Sequence, residues 1–459
     1  LYFHTFTCSP PEMGLPGQEY FAGTHINPQV KWWEQSGIFI DYIHRTQLIV
    51  QNGKFVADVL YYYGDHVPNV FPFKHADPAG AIPGFDYDVT DETIFLQLKM
   101  KDGKITAPGG IQYHVLVLPD HKVLSAAVLE KVEELLNQGA QIIGYKPKNS
   151  ISLVGGETAQ QQFTELTDNI WGKGGSEKGE KKYGKGLISW GISAREFLLS
   201  KGVPADFNVV ESDSKTDYDY IHYTIGQSEV YFVTNQTTEK QKINCQFRLS
   251  GLQPELWDAL TGDIREAQAF TQNEGITTVP LTLEPYGAVM VVFNTPIGKN
   301  KQGTEQYNYP DFETIINITG EWEVNFDPKW GGPPSVIFPE LTDWTKHPDE
   351  GIKYYSGNAV YHKSFNVDFE PQKDRQYFLQ LGSVKDVGIA VVKINGKEKG
   401  ILWTNPFRIE ISEELQKGKN TLEIKVVNSW HNRVAGDQTF PEKKQNTKTN
   451  IELINDYRG

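Results

Sequence analysis

Cysteine and methionine are scarce, with 2 Cys and 3 Met in 459 residues. Cys8 and Cys245 lie far apart, so two buried thiols are the simpler reading than a disulfide framework, and they say little about compartment. Excess basic charge is also missing. A net charge of −14 argues against nucleic acid as a partner, because phosphate binding calls for a basic face. No apolar run reaches the roughly 20 residues that a membrane-spanning helix needs. Neither GxGxxG nor GxxxxGK(S/T) occurs, and Gly155-Gly156 alone makes no phosphate loop. CxxC and HExxH are absent, and no Ser/His/Asp ordering stands out among 11 His. A serine-nucleophile or zinc hydrolase is therefore disfavoured. Calcium stays open, since its oxygen ligands are scattered carboxylates and carbonyls without a spacing signature. An initiator Met is lacking, and Leu1-Tyr2-Phe3-His4-Thr5-Phe6-Thr7 reads as a buried strand already under way. The expectation is a C-terminal piece of something longer, with any secretion signal on the preceding part.

Aromatics, in contrast, are plentiful: 22 Tyr, 24 Phe and 10 Trp. They suit half-buried pleated sheets, and they suit carbohydrate handling, where rings stack on the apolar faces of sugars. The length suggests about three domains. The patterning divides the chain into four segments. Residues 1–53 give strand, shaped loop and helix, the last opening at Ser36 or Gly37 and stopped at Gly53, as in the βα unit of a barrel enzyme. Residues 54–208 alternate strands and helices, implying a parallel sheet of flavodoxin-like type. Within them, the Gly-, Lys- and Glu-rich stretch from Gly172 to Gly186 reads as a solvated, mobile loop. Residues 209–297 switch to short alternating strands, the pattern of an antiparallel sandwich. A polar linker from Pro296 to Gln306 leads into residues 298–459, a second all-β unit with a hairpin signal at Asn395-Gly396 and a jelly roll as expected architecture. The tail from Glu442 to Asn450 reads as loosely ordered.

The chemistry concentrates between Ser9 and Pro28. Gly and Pro shape this loop, which holds Glu12, Glu19, His25 and Asn27 and runs into Trp32-Trp33. Glycosidic cleavage needs two carboxyl groups, about 5–5.5 Å apart for retention or about 6.5–9.5 Å apart for inversion. Glu19 and Glu12 are the local candidates, Glu19 the stronger. Either carboxylate could instead hold the loop by accepting backbone hydrogen bonds. His25 and Asn27 could donate to sugar hydroxyls or brace the turn; Trp32 could offer a ring to a sugar face. Asp65 ends a strand where open α/β sheets place ligands, and capping the next turn explains it equally well. The runs Trp403–Arg408 and Asn428–Arg433 read as corner and core residues ahead of a sugar-binding rim.

At these residues the chain resembles glycoside hydrolase family 106, the α-L-rhamnosidases. The matching stretches are Gly14 to Pro28, Asp58 to Asp65, Pro254 to Asp258 with Thr261-Gly262, and Asn428 to Arg433 with Gly436-Asp437. The resemblance implies a (β/α)8 catalytic barrel, of which residues 1–53 are the end, followed by accessory domains, the last a galactose-binding-like jelly roll. It implies hydrolysis of terminal α-L-rhamnosides of plant or algal oligo- or polysaccharides with inversion, in a bacterial periplasmic or cell-surface setting. On it Glu19 is the general base and calcium a candidate cofactor with unmapped ligands. Most of the barrel, and the general acid with it, would lie in a missing N-terminal portion. Two other readings stand beside this one: a β-galactosidase-like enzyme of similar architecture, and a non-catalytic carbohydrate-binding or scaffold fragment.

Overall fold

The computed structural model describes residues 9–18, 26–65, 73–174, 176–210, 217–385 and 388–451. Across them the chain is mixed α/β, mostly strand, with several sheets and few helices. It divides into two compact units, residues 48–310 and residues 1–47 together with 311–459. Residues 298–310 fall in the first of these units.

In the 48–310 unit, five strands lie parallel in one sheet: Val59–Tyr62, Tyr87–Thr90, Val115–Val117, Gln141–Ile143 and Gly186–Trp190. Their spatial order is 2-1-3-4-5, that of flavodoxin-like sheets. Val59, Leu60, Val115, Leu116 and Ile142 are buried, as both-sided burial of a parallel sheet requires. The helix Ala126–Gln138 shows why the local code works. Ser125 caps it by accepting from the Val128 amide, Val128, Leu129, Val132, Leu135 and Leu136 form its buried stripe, and Gly139 ends it at φ 112°.

The stretch expected to be a mobile loop contains a sixth strand instead. Gly179–Tyr183 pairs antiparallel with Gly186–Trp190 through a turn at Gly184, which takes φ 56°. Glu180 and Lys182 point outward along this edge. Charged residues protect an edge strand from further pairing, and that composition imitates a solvated loop.

Two larger antiparallel sheets follow in the unit. One runs in the order Phe207–Val210, Gln241–Phe247, Ile276–Leu283, Thr271–Asn273; the other contains Leu252–Trp257, Ala288–Pro296, Ser228–Asn235 and Tyr218–Ile225. Phe207, Tyr231, Val233, Phe247, Val279 and Phe293 pack between them, beside the free, buried thiol of Cys245. Cys8 lies outside the described residues. The segment Pro296 to Gln306 is not a free linker. Gly303 N donates to Phe270 O at 2.8 Å and Glu305 N to Gln268 O at 3.1 Å, so backbone pairing with the sheet, which polarity alone does not reveal, orders it.

A buried charge network stitches this unit together. Arg248 Nη2 reaches both oxygens of Asp58 at 3.0 Å and Asp206 at 3.3 Å. Asp206 also receives Tyr231 OH at 3.0 Å and pairs with His222 Nδ1 at 3.0 Å, while His222 Nε2 meets Glu229 at 2.9 Å. Asp58 directly precedes the first parallel strand and Asp206 the antiparallel strand Phe207–Val210, so the network joins the two kinds of sheet. Burial alone would push the His222 imidazole down, but Asp206 and Glu229 outweigh it and hold the ring up at about 9.

In the other unit six antiparallel strands run in the order Val336–Phe338, Trp322–Phe326, Asn358–Val367, Gly418–Val427, Ile389–Ile394, Lys397–Leu402. Trp322, Val324, Phe326, Tyr361, Val392 and Ile424 form its core. The Asn395-Gly396 hairpin is as expected, with φ 51° and 83°, the left-handed pair of a type I′ turn. The helix Gly37–Asn52 also follows the expected bounds; Phe39 and Tyr42, in its first turns, pack edge-on against Trp403 at 5.4 and 5.6 Å.

The His222 network carries a pH dependence. A histidine whose folded-state value is raised from 6.5 to about 9 stabilises fully below about pH 6.5, and that contribution is lost as pH rises through 9. Thermal melting between pH 6.5 and 9.5 should therefore show a declining midpoint, corresponding to roughly 3 kcal/mol. In His222→Gln that decline should disappear; a parallel fall in the variant would place its source elsewhere.

Candidate active-site loop

The loop from Ser9 to Pro28 is anchored on both sides of residues 19–25, which lie outside the described residues and include Glu19 and His25. On the leading side, Pro11–Met13 forms a short 3-10 turn carrying an exposed Glu12, whose carbonyl accepts from Lys448 Nζ at 3.1 Å. Pro16–Gly17 then pairs in parallel with Lys448–Thr449, and Lys448 N donates to Leu15 O at 2.8 Å. Gly17 must be glycine. It sits at φ 84°, and a Cβ there would meet Ser9 Oγ at 2.4 Å, the same oxygen that accepts from Gln18 N at 2.7 Å.

The pairing orders the tail expected to be loose. Asp437, only 4% exposed, accepts through Oδ2 from Asn446 N at 2.8 Å, Thr447 N at 2.6 Å and Thr447 Oγ1 at 2.7 Å. Its Oδ1 lies 2.7 Å from Arg433, one turn earlier on the helix His431–Thr439. A polar tail looks unstructured in sequence because the carboxylate that orders it stands elsewhere.

On the trailing side, Asn27 is 1% exposed. Its Oδ1 accepts from Gln29 N at 2.9 Å, the side-chain turn that asparagine favours, so Asn27 shapes the loop from within. Gln29 O accepts from the indole of Trp430 at 2.7 Å, and Gln29 Nε2 donates to Ser9 O at 3.2 Å. Lys31 Nζ then sits 3.3 Å from the ring centre of Trp330 and 3.8 Å from that of Trp430. Burial pushes its ammonium down to about 7, against the pull of Asp327. The two indole faces also favour the cation, an attraction on the order of 2 kcal/mol when partly desolvated. Trp32 is half-buried, and Trp33 beside it is 38% exposed.

Asp65, in the 48–310 unit, has both oxygens engaged. One takes Tyr62 OH, the other takes Ser125 N at 2.9 Å, so it ties a strand end to the cap of the helix Ala126–Gln138. Sequence reasoning missed Lys31 and Trp330. Lys31 carried no signal, and Trp330 had only the turn pattern Asp327-Pro328-Lys329-Trp330-Gly331 around it. Asn428, flagged in sequence, bonds inward to Gly357 N and Tyr355 O, each at 2.9 Å. Among the described residues no three His, Cys, Asp or Glu side chains gather to hold a metal ion, so no calcium ligand is assigned.

A family model described as alpha-L-rhamnosidase matches residues 1–272. A solved rhamnosidase from Novosphingobium sp. PP1Y is similar, at 30% identity and a TM-score of 0.79, over 96% of this chain and 41% of that one. A protein of Formosa agariphila, provisionally named a beta-glucuronidase, is 26% identical over 99% of this chain and 56% of its own length. This chain thus spans about half the length of the relatives it matches.

Asp437→Ala should leave Arg433 buried without its partner, at a cost of roughly 3–5 kcal/mol, and should release the tail. Limited trypsin digestion is expected to cut first at Lys443, Lys444 or Lys448 in the variant. Unchanged digestion would show that the carboxylate does not hold the tail.

Proposed function

Because this chain belongs to the α-L-rhamnosidase family, we propose that it is the C-terminal part of a glycoside hydrolase that removes terminal α-L-rhamnosyl residues from plant or algal glycans with inversion. The observation that carries this reading is the family match across residues 1–272, which contains the whole Ser9–Pro28 loop. In the proposed reaction a water molecule attacks the anomeric carbon on the face opposite the leaving group. Glu19 takes its proton, and a carboxylic acid outside this chain protonates the glycosidic oxygen as the bond breaks. Asn27 shapes the loop, Trp32 and His25 are the candidates for sugar contact, and Glu12 is the weaker carboxylate candidate. Residues 1–53 would close a (β/α)8 barrel completed by the preceding portion of the protein, with the last sheets as a jelly roll. Calcium is the candidate cofactor, with no cluster of three His, Cys, Asp or Glu side chains among the described residues to assign as its ligands. No described helix is long and apolar enough to cross a membrane; a periplasmic or cell-surface bacterial setting fits a glycan substrate.

A β-glucuronide substrate is the second reading, favoured by the name of the Formosa relative. A panel of aryl glycosides on the complete enzyme separates the two. Turnover of aryl α-L-rhamnoside with β-L-rhamnose as first product by NMR is expected. Glu19→Gln should lower kcat at least about a hundredfold, the lower range for loss of general base catalysis, and Glu12→Gln should leave it nearly unchanged. Full turnover in Glu19→Gln would remove that residue from the mechanism.

A further inference from the structure

The six-stranded antiparallel sheet that contains Asn358–Val367 carries a row of polar groups across four adjacent strands. The register sets Glu323 opposite His362, His362 opposite Glu423, and Glu423 opposite Lys393. Their chain neighbours Val324, Tyr361, Ile424 and Val392 are buried in the core, so these four side chains stand together on the outer face. Cross-strand pairing accounts for the last two, with Lys393 Nζ 3.0 Å from Glu423 Oε1. It does not account for the others. Glu323 accepts from Ser335 Oγ at 3.2 Å, and among the described residues the His362 ring, set between two carboxylate residues, has no hydrogen bond or ion pair. A cavity of about 390 Å³ opens here, lined by this row together with Lys363, Ser364 and Thr421.

We propose that this cavity binds a neutral saccharide unit, apart from the loop that carries the proposed hydrolysis. Its lining holds two carboxylates, Glu323 and Glu423, and two ammonium groups, Lys363 and Lys393, so its fixed charge cancels. A phosphate or a uronate would meet a carboxylate for every ammonium group. A metal ion would need converging ligands, and among the described residues no three His, Cys, Asp or Glu side chains gather to hold one. Sugar hydroxyls donate and accept at once, and the lining answers both needs. Glu323 and Glu423 accept, Lys393 donates, and His362, Ser364 and Thr421 can do either. The volume lies within the range of about 300–1,000 Å³ typical of small-molecule sites. Parts of the wall are already fixed, Lys393 by its ion pair and Thr421 by its amide, which donates to Asn395 Oδ1 at 2.8 Å. Binding here does not depend on Glu19.

The test is affinity electrophoresis of the complete protein in native gels, run cold to limit hydrolysis. The gels contain a neutral rhamnan, a neutral galactan or polygalacturonate, each compared with a polymer-free gel. At least one neutral polymer should retard the wild type, and polygalacturonate should not. His362→Ala and Glu323→Gln should each weaken that binding about threefold to tenfold, the worth of a hydrogen bond or two, with Tm nearly unchanged as for surface substitutions. Ser364→Trp, at an exposed position, fills the cavity and should abolish the difference that the cavity makes. Binding in the hydrolytic site is common to all four proteins and drops out of the comparison. The proposal is overturned if no neutral polymer retards the wild type, if all four proteins are retarded equally, or if polygalacturonate alone retards them. Glu19→Gln separates the two claims. Normal turnover in that variant, with retardation still lost in the cavity variants, removes the hydrolytic reading and leaves the saccharide site standing.

Discussion

One buried carboxylate, that of Asp437, sets the conditions for the loop that carries the candidate chemistry. An acid 4% exposed is costly to bury unless every lone pair finds a donor. Asp437 takes three donors from residues 446 and 447 on one oxygen, and the other lies in an ion pair 2.7 Å from Arg433. The geometry that satisfies the charge also delivers Lys448–Thr449 to Pro16–Gly17. Order in a polar tail and the path of a Gly/Pro loop are thus two outcomes of one desolvation problem.

The 48–310 unit solves a similar problem with Arg248. Its guanidinium lies between Asp58 and Asp206, and the chain of contacts continues through His222 to Glu229. Each member of that network has a partner. Its role is to hold sheets of different type together. Two of the stretches that carry the family resemblance therefore owe part of their residue choice to architecture: Asp58 and Asp65 in one, Asn428, Arg433 and Asp437 in the other, are all engaged internally.

Local signals in the sequence predicted local structure well. Ser125, the apolar stripe from Val128 to Leu136 and Gly139 together specify one helix, and Asn395-Gly396 specifies one turn, because cap, period and turn chemistry all act within a few residues. Three features were illegible for a common reason. The edge strand Gly179–Tyr183, the segment 296–306 and the tail after Glu442 are polar, and each is ordered by a partner that sequence neighbours do not reveal. Lys31 was invisible in the same way, since its tryptophans come from a distant turn and a distant helix. Of the candidate site, the sequence named the loop and its carboxylates, of which Glu19 lies outside the described residues. The clamp that holds the loop became visible only with its partners in place.

The bond from Trp430 to Gln29 joins residues 401 positions apart. During synthesis the early half of that contact leaves the ribosome long before its other half exists. The loop must wait, shaped only by its own glycines and prolines, until the chain through Trp430 has been made. Competence of such a site consequently comes only after the chain through Trp430 exists, and a polypeptide released before that point would contain the residues of the loop without the means to set them.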